Sequence, residues 1–282
     1  MIYPDIYHIG CLKTGTSTLQ SYIAQDNRIN VIFHSRFFNT SKWYSGNYTW
    51  KNPVLINIES DENISRKIKN MVGLEESLKR IRSVAPDSKI ILTIREQRSI
   101  IISMYKHFIR ETNSCMSIDE FIVSPEGLSF IETVKYHDVY MTIKKYFHSN
   151  KIYVYFFENM INNWDGFIQQ FYTQVFNLAV NQSLGITKRN EGLKDNEVIT
   201  KRFLNSLNFF QKNTILNKIH NRIFIPFFLP ILSNSIFYNQ NILWENINTH
   251  KNLEEIFQDQ NSRLEKTIKV SLPSEYLNTI NR

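Results

Sequence analysis

The sequence predicts an α/β protein. A mostly parallel central sheet carries helices on both faces, and a mainly helical part follows at the C-terminal end. Three observations lead there. Short apolar runs alternate with segments of helical period, the pattern of a parallel sheet covered by helices. The first run passes through a glycine turn straight into an amphipathic segment, as a βα unit does. The 282 residues, 42% hydrophobic, suit one large domain with a sizeable core.

The elements follow in order. Ile6 to Ile9 is apolar and rich in β-branched residues, a strand. The chain turns at Gly10 and leaves through Thr14, Gly15, Thr16 and Ser17 into an amphipathic helix, Thr18 to Ala24. A short strand is expected at Asn30 to Phe33. Trp43 to Trp50 is aromatic and polar, a loop by composition. A strand follows at Val54 to Ile58. Helical period returns from Leu74 to Val84 and stops at Ala85-Pro86-Asp87. Ile90 to Ile94 is a strand that turns into a helix. Helices are expected at Ile118 to Val123 and Ser129 to Phe147, then a strand from Ile152 to Phe157, then mostly helix. We expect one domain, with residues 1–200 as the α/β core that holds the cofactor site and 201–282 as the helical part.

Composition narrows the function classes. Two cysteines, Cys11 and Cys115, make no disulfide framework and fit a reducing compartment. Cys11 reads as a small packing residue. No secretory signal pattern stands at the start, and the most apolar stretch, Ile223 to Leu232, is too short to span a bilayer and holds two prolines. A cytoplasmic location is expected, with peripheral contact to the inner membrane as a variant. The net charge of +7 suits nucleic acid, an anionic membrane or an anionic substrate. No nucleic-acid-binding pattern is visible, so no nucleic-acid partner is expected.

The chemistry starts at His8 to Gln20. A strand, a glycine turn and a helix N-terminus aim backbone N–H groups and the positive end of a helix dipole at an anion. Gly10 and Gly15 have the spacing of the G-x-x-x-x-G-K-[ST] nucleotide loop, yet Thr16 stands where its lysine belongs. The loop's own lysine is Lys13. A nucleoside triphosphatase needs that other lysine on its β- and γ-phosphates. This loop suits a shorter anion held without metal, and no metal site is expected.

A second segment, Lys89 to Phe108, has Arg95 where a strand ends and Ser103 eight residues on. An arginine fork and a hydroxyl there suit a phosphate dianion. The two segments resemble those of sulfotransferases. K-T-G-T-S after a strand resembles the loop that holds the 5′-phosphosulfate of PAPS (3′-phosphoadenosine 5′-phosphosulfate). Arg95-Glu96-Gln97 with Ser103-Met104-Tyr105 resembles the grip on the 3′-phosphate. Glu59 to Ser65 resembles the S-D-E element of bacterial carbohydrate sulfotransferases. Lys151 to Met160 resembles a later strand ending in an acidic residue, here Glu158. Lys188 to Glu197 sits where the family has a basic loop near the 3′-phosphate, so Lys188 and Arg189 are carried over, although the R-K-G form is absent. The resemblance runs from about Tyr3 to Glu197, with an echo in Ile256 to Ile268. Residues 203–250 resemble nothing.

The resemblance implies a P-loop-like sulfotransferase fold, PAPS as cofactor, and a saccharide hydroxyl as acceptor, on a surface polysaccharide or glycolipid. Gly10, Lys13, Thr14, Gly15, Thr16 and Ser17 would hold the 5′ end, and Arg95 and Ser103 the 3′-phosphate. Lys13 would neutralise the bridging oxygen. The base is His34 or Glu62, with Glu59 as third choice. An imidazole of unperturbed pKa ~6.5 suits general-base work, while a solvent-facing strand end is the plainer account of His34. Arg36 would meet an anionic acceptor or a surface carboxylate. Trp43, Tyr44, Tyr48 and Trp50 would stack on sugar rings or cover the core. Phe224, Phe227 and Phe228 would touch a membrane or pack a helical subdomain. A small-molecule kinase and a non-catalytic nucleotide-binding module remain as alternatives.

Overall fold

A computed structural model describes residues 3–33, 54–65, 73–112, 114–181, 185, 192–206, 225–235 and 250–276. Its contacts divide the chain into two units. One comprises Met1–Gln97, Ser129–Arg189 and Glu254–Arg282, and the other Arg98–Leu128 and Asn190–Leu253. This grouping differs from a division near residue 200, because the chain after Glu254 groups with the sheet.

The first unit holds β1 (Ile6–His8), β2 (Ile29–Phe33), β3 (Ile56–Ser60), β4 (Lys89–Ile94) and β5 (Ile152–Phe156), in the order β2-β3-β1-β4-β5. Every neighbouring pair is parallel. Both parities of β4 are buried, Ile91 and Thr93 on one and Ile90, Leu92 and Ile94 on the other. A central strand covered on both faces has this burial. On one face, Leu19, Tyr22 and Ile23 of α1 (Thr16–Ile23) join Ile6, Ile58 and Ile91. Phe167, Phe171 and Tyr172, from α8 (Trp164–Phe171) and the turn after it, complete that cluster.

Two expected elements change. The strand foreseen at Val54 to Ile58 is Ile56–Ser60. Pairing with β2 sets its length, since Ile56 lies opposite Ile29 and Ser60 opposite Phe33. Its polar end hid it from an apolar pattern. The single helix foreseen from Ser129 to Phe147 is two, α5 (Pro125–Thr133) and α6 (Tyr136–Lys144). The break leaves the Thr133 carbonyl to accept from the Cys11 thiol at 3.2 Å.

The remaining elements are α2 (Leu74–Val84), α3 (Gln97–Glu111), α4 (Ile118–Val123), α7 (Phe157–Asn162), α9 (Asp195–Ser206), α10 (Ile225–Ser235) and α11 (His250–Ile268). In the second unit a capping box between Ser117 and Glu120 starts α4, and Lys106 pairs with Asp195. Within the first unit α11 is tied down by buried amides. Asn261 and Gln97 exchange hydrogen bonds of 2.6 and 3.1 Å, and Gln260 donates to Asp138 at 2.9 Å.

Candidate active site at the carboxyl ends of the strands

After β3 on one side of β1, the chain crosses to β4 on the other side. Ligands of open parallel sheets sit at such a switch point, beyond the strands' carboxyl ends. The loop after β1 lies there, and so does Arg95 after β4. Both expected phosphate motifs therefore begin at one edge of the sheet.

The loop is built to pass close to β4. A Cβ on Gly10 would come within 1.9 Å of the Thr93 Oγ1. Lys13 has φ 68° and Gly15 φ 75°, both left-handed. The region suits glycine and is costly for lysine. Thr16 opens α1, so the N–H groups of Thr16 and Ser17 have no acceptor within the helix. Such donors, with the helix dipole behind them, fit a phosphate. The Thr14 hydroxyl faces inward and donates to the Cys11 carbonyl at 2.7 Å, so its backbone is the part available to an anion. Thr16 is buried and Ser17 half-buried.

Arg95 is held from several directions. Its Nη1 donates to the Lys13 carbonyl at 3.1 Å, linking the end of β4 to the loop after β1. Its guanidinium lies 4.4 Å from the centre of the Phe157 ring. The Tyr136 hydroxyl donates to the Arg95 carbonyl at 2.6 Å, and the Arg95 N–H donates to the Tyr136 hydroxyl oxygen at 3.3 Å. Burial lowers the guanidinium pKa, while the charge of Glu158 raises it. With five donors and a charge kept at any physiological pH, Arg95 fits a dianion beside the loop.

Glu158 follows β5 and braces this corner. It accepts from the Glu96 N–H and from the Tyr276 hydroxyl, each at 2.9 Å. Burial raises its carboxyl pKa. Met160 and Phe157 lie where a Cβ on Gly15 would go, at 2.0 and 3.1 Å, so α7 supports the loop.

Ser103 lies two turns into α3, half-buried, in the second unit. Glu62 heads a short 3-10 turn after β3, and Gln20 Nε2 stands 3.5 Å from its Oε2. Glu59 is fully buried in β3 opposite Tyr7, with no solvent face from which to meet an acceptor, which corrects its candidacy as base. His34, Arg36, Trp43 to Trp50, Lys188, Arg189, Phe224 and the side chains of Phe227 and Phe228 lie outside the described residues. Among the described residues no three His, Cys, Asp or Glu side chains cluster as metal ligands, and no helix is long and apolar enough to cross a membrane.

Sequence reasoning passed over His8, Ser60, Thr93, Tyr136 and Phe157, which line or support the corner. For His8, Ser60 and Thr93 the available signal was a polar residue at or next to the end of a strand, whereas Tyr136 and Phe157 open helices and carried no such mark.

Comparison with solved structures returns sulfotransferases. One from Alicyclobacillus acidocaldarius aligns over 98% of this chain and 99% of its own, with TM-score 0.60 and 14% identity. The sulfotransferase domain from the curacin biosynthetic pathway aligns over 97% of this chain and 100% of its own, with TM-score 0.50 and 10% identity. The sequence matches no family model and no curated protein. The five-stranded parallel sheet with its helices is thus the sulfotransferase fold.

Proposed function

We propose that this protein is a PAPS-dependent sulfotransferase that sulfates a hydroxyl of a carbohydrate acceptor, on a surface polysaccharide or glycolipid, without a metal ion. The observation that supports it most is the hydrogen bond from Arg95 to the Lys13 carbonyl, which sets the glycine loop after β1 beside an arginine fork. PAPS, when bound, supplies a sulfuryl group on a phosphate leaving group. Backbone N–H groups at Gly15, Thr16 and Ser17 hold the 5′ end, with Gly10 giving the loop its close path. Arg95 takes the 3′-phosphate, and by sequence alone Ser103, Lys188 and Arg189 are the further candidates for it. The acceptor oxygen bonds to sulfur as the sulfur–oxygen bond to the phosphate breaks. Lys13 stabilises the charge left on that phosphate, and His34 or Glu62 takes the acceptor's proton.

Arg95→Ala tests the reading. Loss of charge-assisted hydrogen bonds should weaken PAPS binding by roughly ten- to a hundredfold. It should also narrow the preference for PAPS over adenosine 5′-phosphosulfate. Calorimetry on a folded variant that shows both unchanged would remove the assignment. Activity should persist in EDTA. Its loss, with recovery on adding Mg²⁺, would point to phosphoryl transfer instead.

A further inference from the structure

A file of buried hydrogen bonds runs beneath the phosphate loop and ends near Glu62. His8 closes β1 and is 1% exposed. Its Nδ1 is 2.8 Å from Ser60 Oγ on β3, and its Nε2 is 3.1 Å from Thr93 Oγ1 on β4. One ring thus ties together the three central strands. Beyond it, Thr93 Oγ1 lies 2.8 Å from Thr14 Oγ1, and Thr14 donates to the Cys11 carbonyl. At the other end Gln20 Nε2 donates to Ser60 Oγ at 2.9 Å and approaches Glu62 Oε2 at 3.5 Å.

The direction of every proton follows from counting. A hydroxyl has one proton to give. Thr14 gives its proton to Cys11, so Thr93 must be the donor to Thr14. Thr93 then accepts from His8, which requires a proton on Nε2. In the neutral ring Nδ1 is an acceptor, so Ser60 donates to it. Ser60 is left to accept from Gln20, whose amide can only donate there. The order Gln20, Ser60, His8, Thr93, Thr14, Cys11 satisfies every member with none reversed. Burial lowers the His8 pKa to about 4, in keeping with a neutral ring.

We propose that His8 is a positioning residue: as the neutral Nε2–H tautomer it sets the path of the phosphate loop through Thr93 and Thr14, and the place of Glu62 through Ser60 and Gln20. The role at each end rests on the sulfuryl-transfer reading; the proton order does not. A buried histidine that served the fold alone would need no such division between two ends of one site.

The test has two arms. Ring-nitrogen NMR of the native protein near neutral pH, with His8 assigned by comparison with His8→Gln, should show Nδ1 unprotonated and Nε2 protonated. The opposite tautomer, or an imidazolium, overturns the proposal. The second arm cuts the file on either side of His8. Thr93→Val removes both the bond from His8 and the bond to Thr14, and the loss of the latter beside the loop should weaken binding of 3′-phosphoadenosine 5′-phosphate on the order of tenfold. Ser60→Ala should leave that affinity unchanged and lower turnover by a similar factor. His8→Gln keeps an amide N–H toward Thr93, so it should bind like the native protein and turn over like Ser60→Ala. If all three lower affinity and turnover together, in step with melting temperature, His8 serves the fold alone and the positioning role is wrong. If one variant does not fold, the other two still decide the positioning role, and the tautomer spectrum of the native chain judges the proton order. A native protein that fails to bind 3′-phosphoadenosine 5′-phosphate sinks the functional reading and the positioning role with it, while the spectrum separately judges the proton order.

Discussion

Lys13 carries one cost. A non-glycine residue in the left-handed region is strained by roughly 1–2 kcal/mol, and such strain gathers at functional positions. Lys13→Gly relieves that strain but adds backbone freedom to the unfolded chain, worth about 0.5–1 kcal/mol the other way. The net expectation is a variant slightly more stable than the native protein in urea, by about 0.5 kcal/mol. Lys13→Ala should show no such gain, since alanine keeps the strain. On the proposed function, in which the ammonium acts on charge that develops during transfer, both should lose turnover by a larger factor than affinity for 3′-phosphoadenosine 5′-phosphate. Equal losses in the two quantities would make Lys13 a binding residue only. His8 gives a second expectation at this scale. Its folded pKa, about 4, lies below the ~6.5 of a free imidazole, so its share of stability is complete above pH 6.5 and lost as pH falls toward 4. The loss amounts to about 3 kcal/mol by pH 4. Denaturant titrations at pH 7 and pH 4 should therefore show a smaller difference for His8→Gln than for the native protein.

At the scale of elements, the loop between β1 and α1 depends on what β4 and α7 allow beside it. The two glycines do different work. At Gly10 the obstacle to a Cβ is Thr93 Oγ1, which belongs to a β-branched, buried, hydrogen-bonded side chain that cannot swing away. At Gly15 the nearest atom is the end of the Met160 side chain, which can move, and the costs that remain are the left-handed φ and a tight 3.1 Å approach to the Phe157 ring. Gly10→Ala should therefore be the more damaging, destabilising by about 2–3 kcal/mol, against about 1–2 kcal/mol for Gly15→Ala. Chemical denaturation of both variants would check the ranking, and the reverse order would mean that the loop is held by backbone conformation rather than by the approach of β4. The glycine turn from Gly10 to Gly15 and the strand end before Arg95 were legible because a short run of neighbours carries each. Ser60 and Thr93 were not legible. Their role exists only because β1 lies between β3 and β4, and strand order is a property of pairing, not of any local pattern.

At the scale of the whole molecule, the sheet and its helices followed from the alternation of elements, whereas the return of the chain after Glu254 did not. The segment Ile256 to Ile268 echoes a known family, but its periodicity gives no partner. What binds it is a set of amide and hydroxyl contacts at long separation in sequence, Asn261 to Gln97, Gln260 to Asp138 and Tyr276 to Glu158. These contacts make a prediction about truncation. A chain ended at residue 249 loses Phe257, Leu264 and Tyr276, all buried. Each large apolar side chain removed from a core costs about 2–5 kcal/mol, against a total stability of about 5–15 kcal/mol for an ordinary domain. The truncation also leaves the Gln97 amide and one oxygen of the buried Glu158 carboxyl without the protein partners they have here. Glu158 holds the Glu96 N–H directly after Arg95, so the damage should reach the phosphate corner before the sheet. The truncated protein should show early loss of protection at the amides of Glu96 and Gln97 in hydrogen exchange, and a melting temperature that 3′-phosphoadenosine 5′-phosphate no longer raises. Retention of native protection and of the ligand-induced shift would show that α11 is dispensable to the corner, and that Glu158 is held there by β5 and α7 alone.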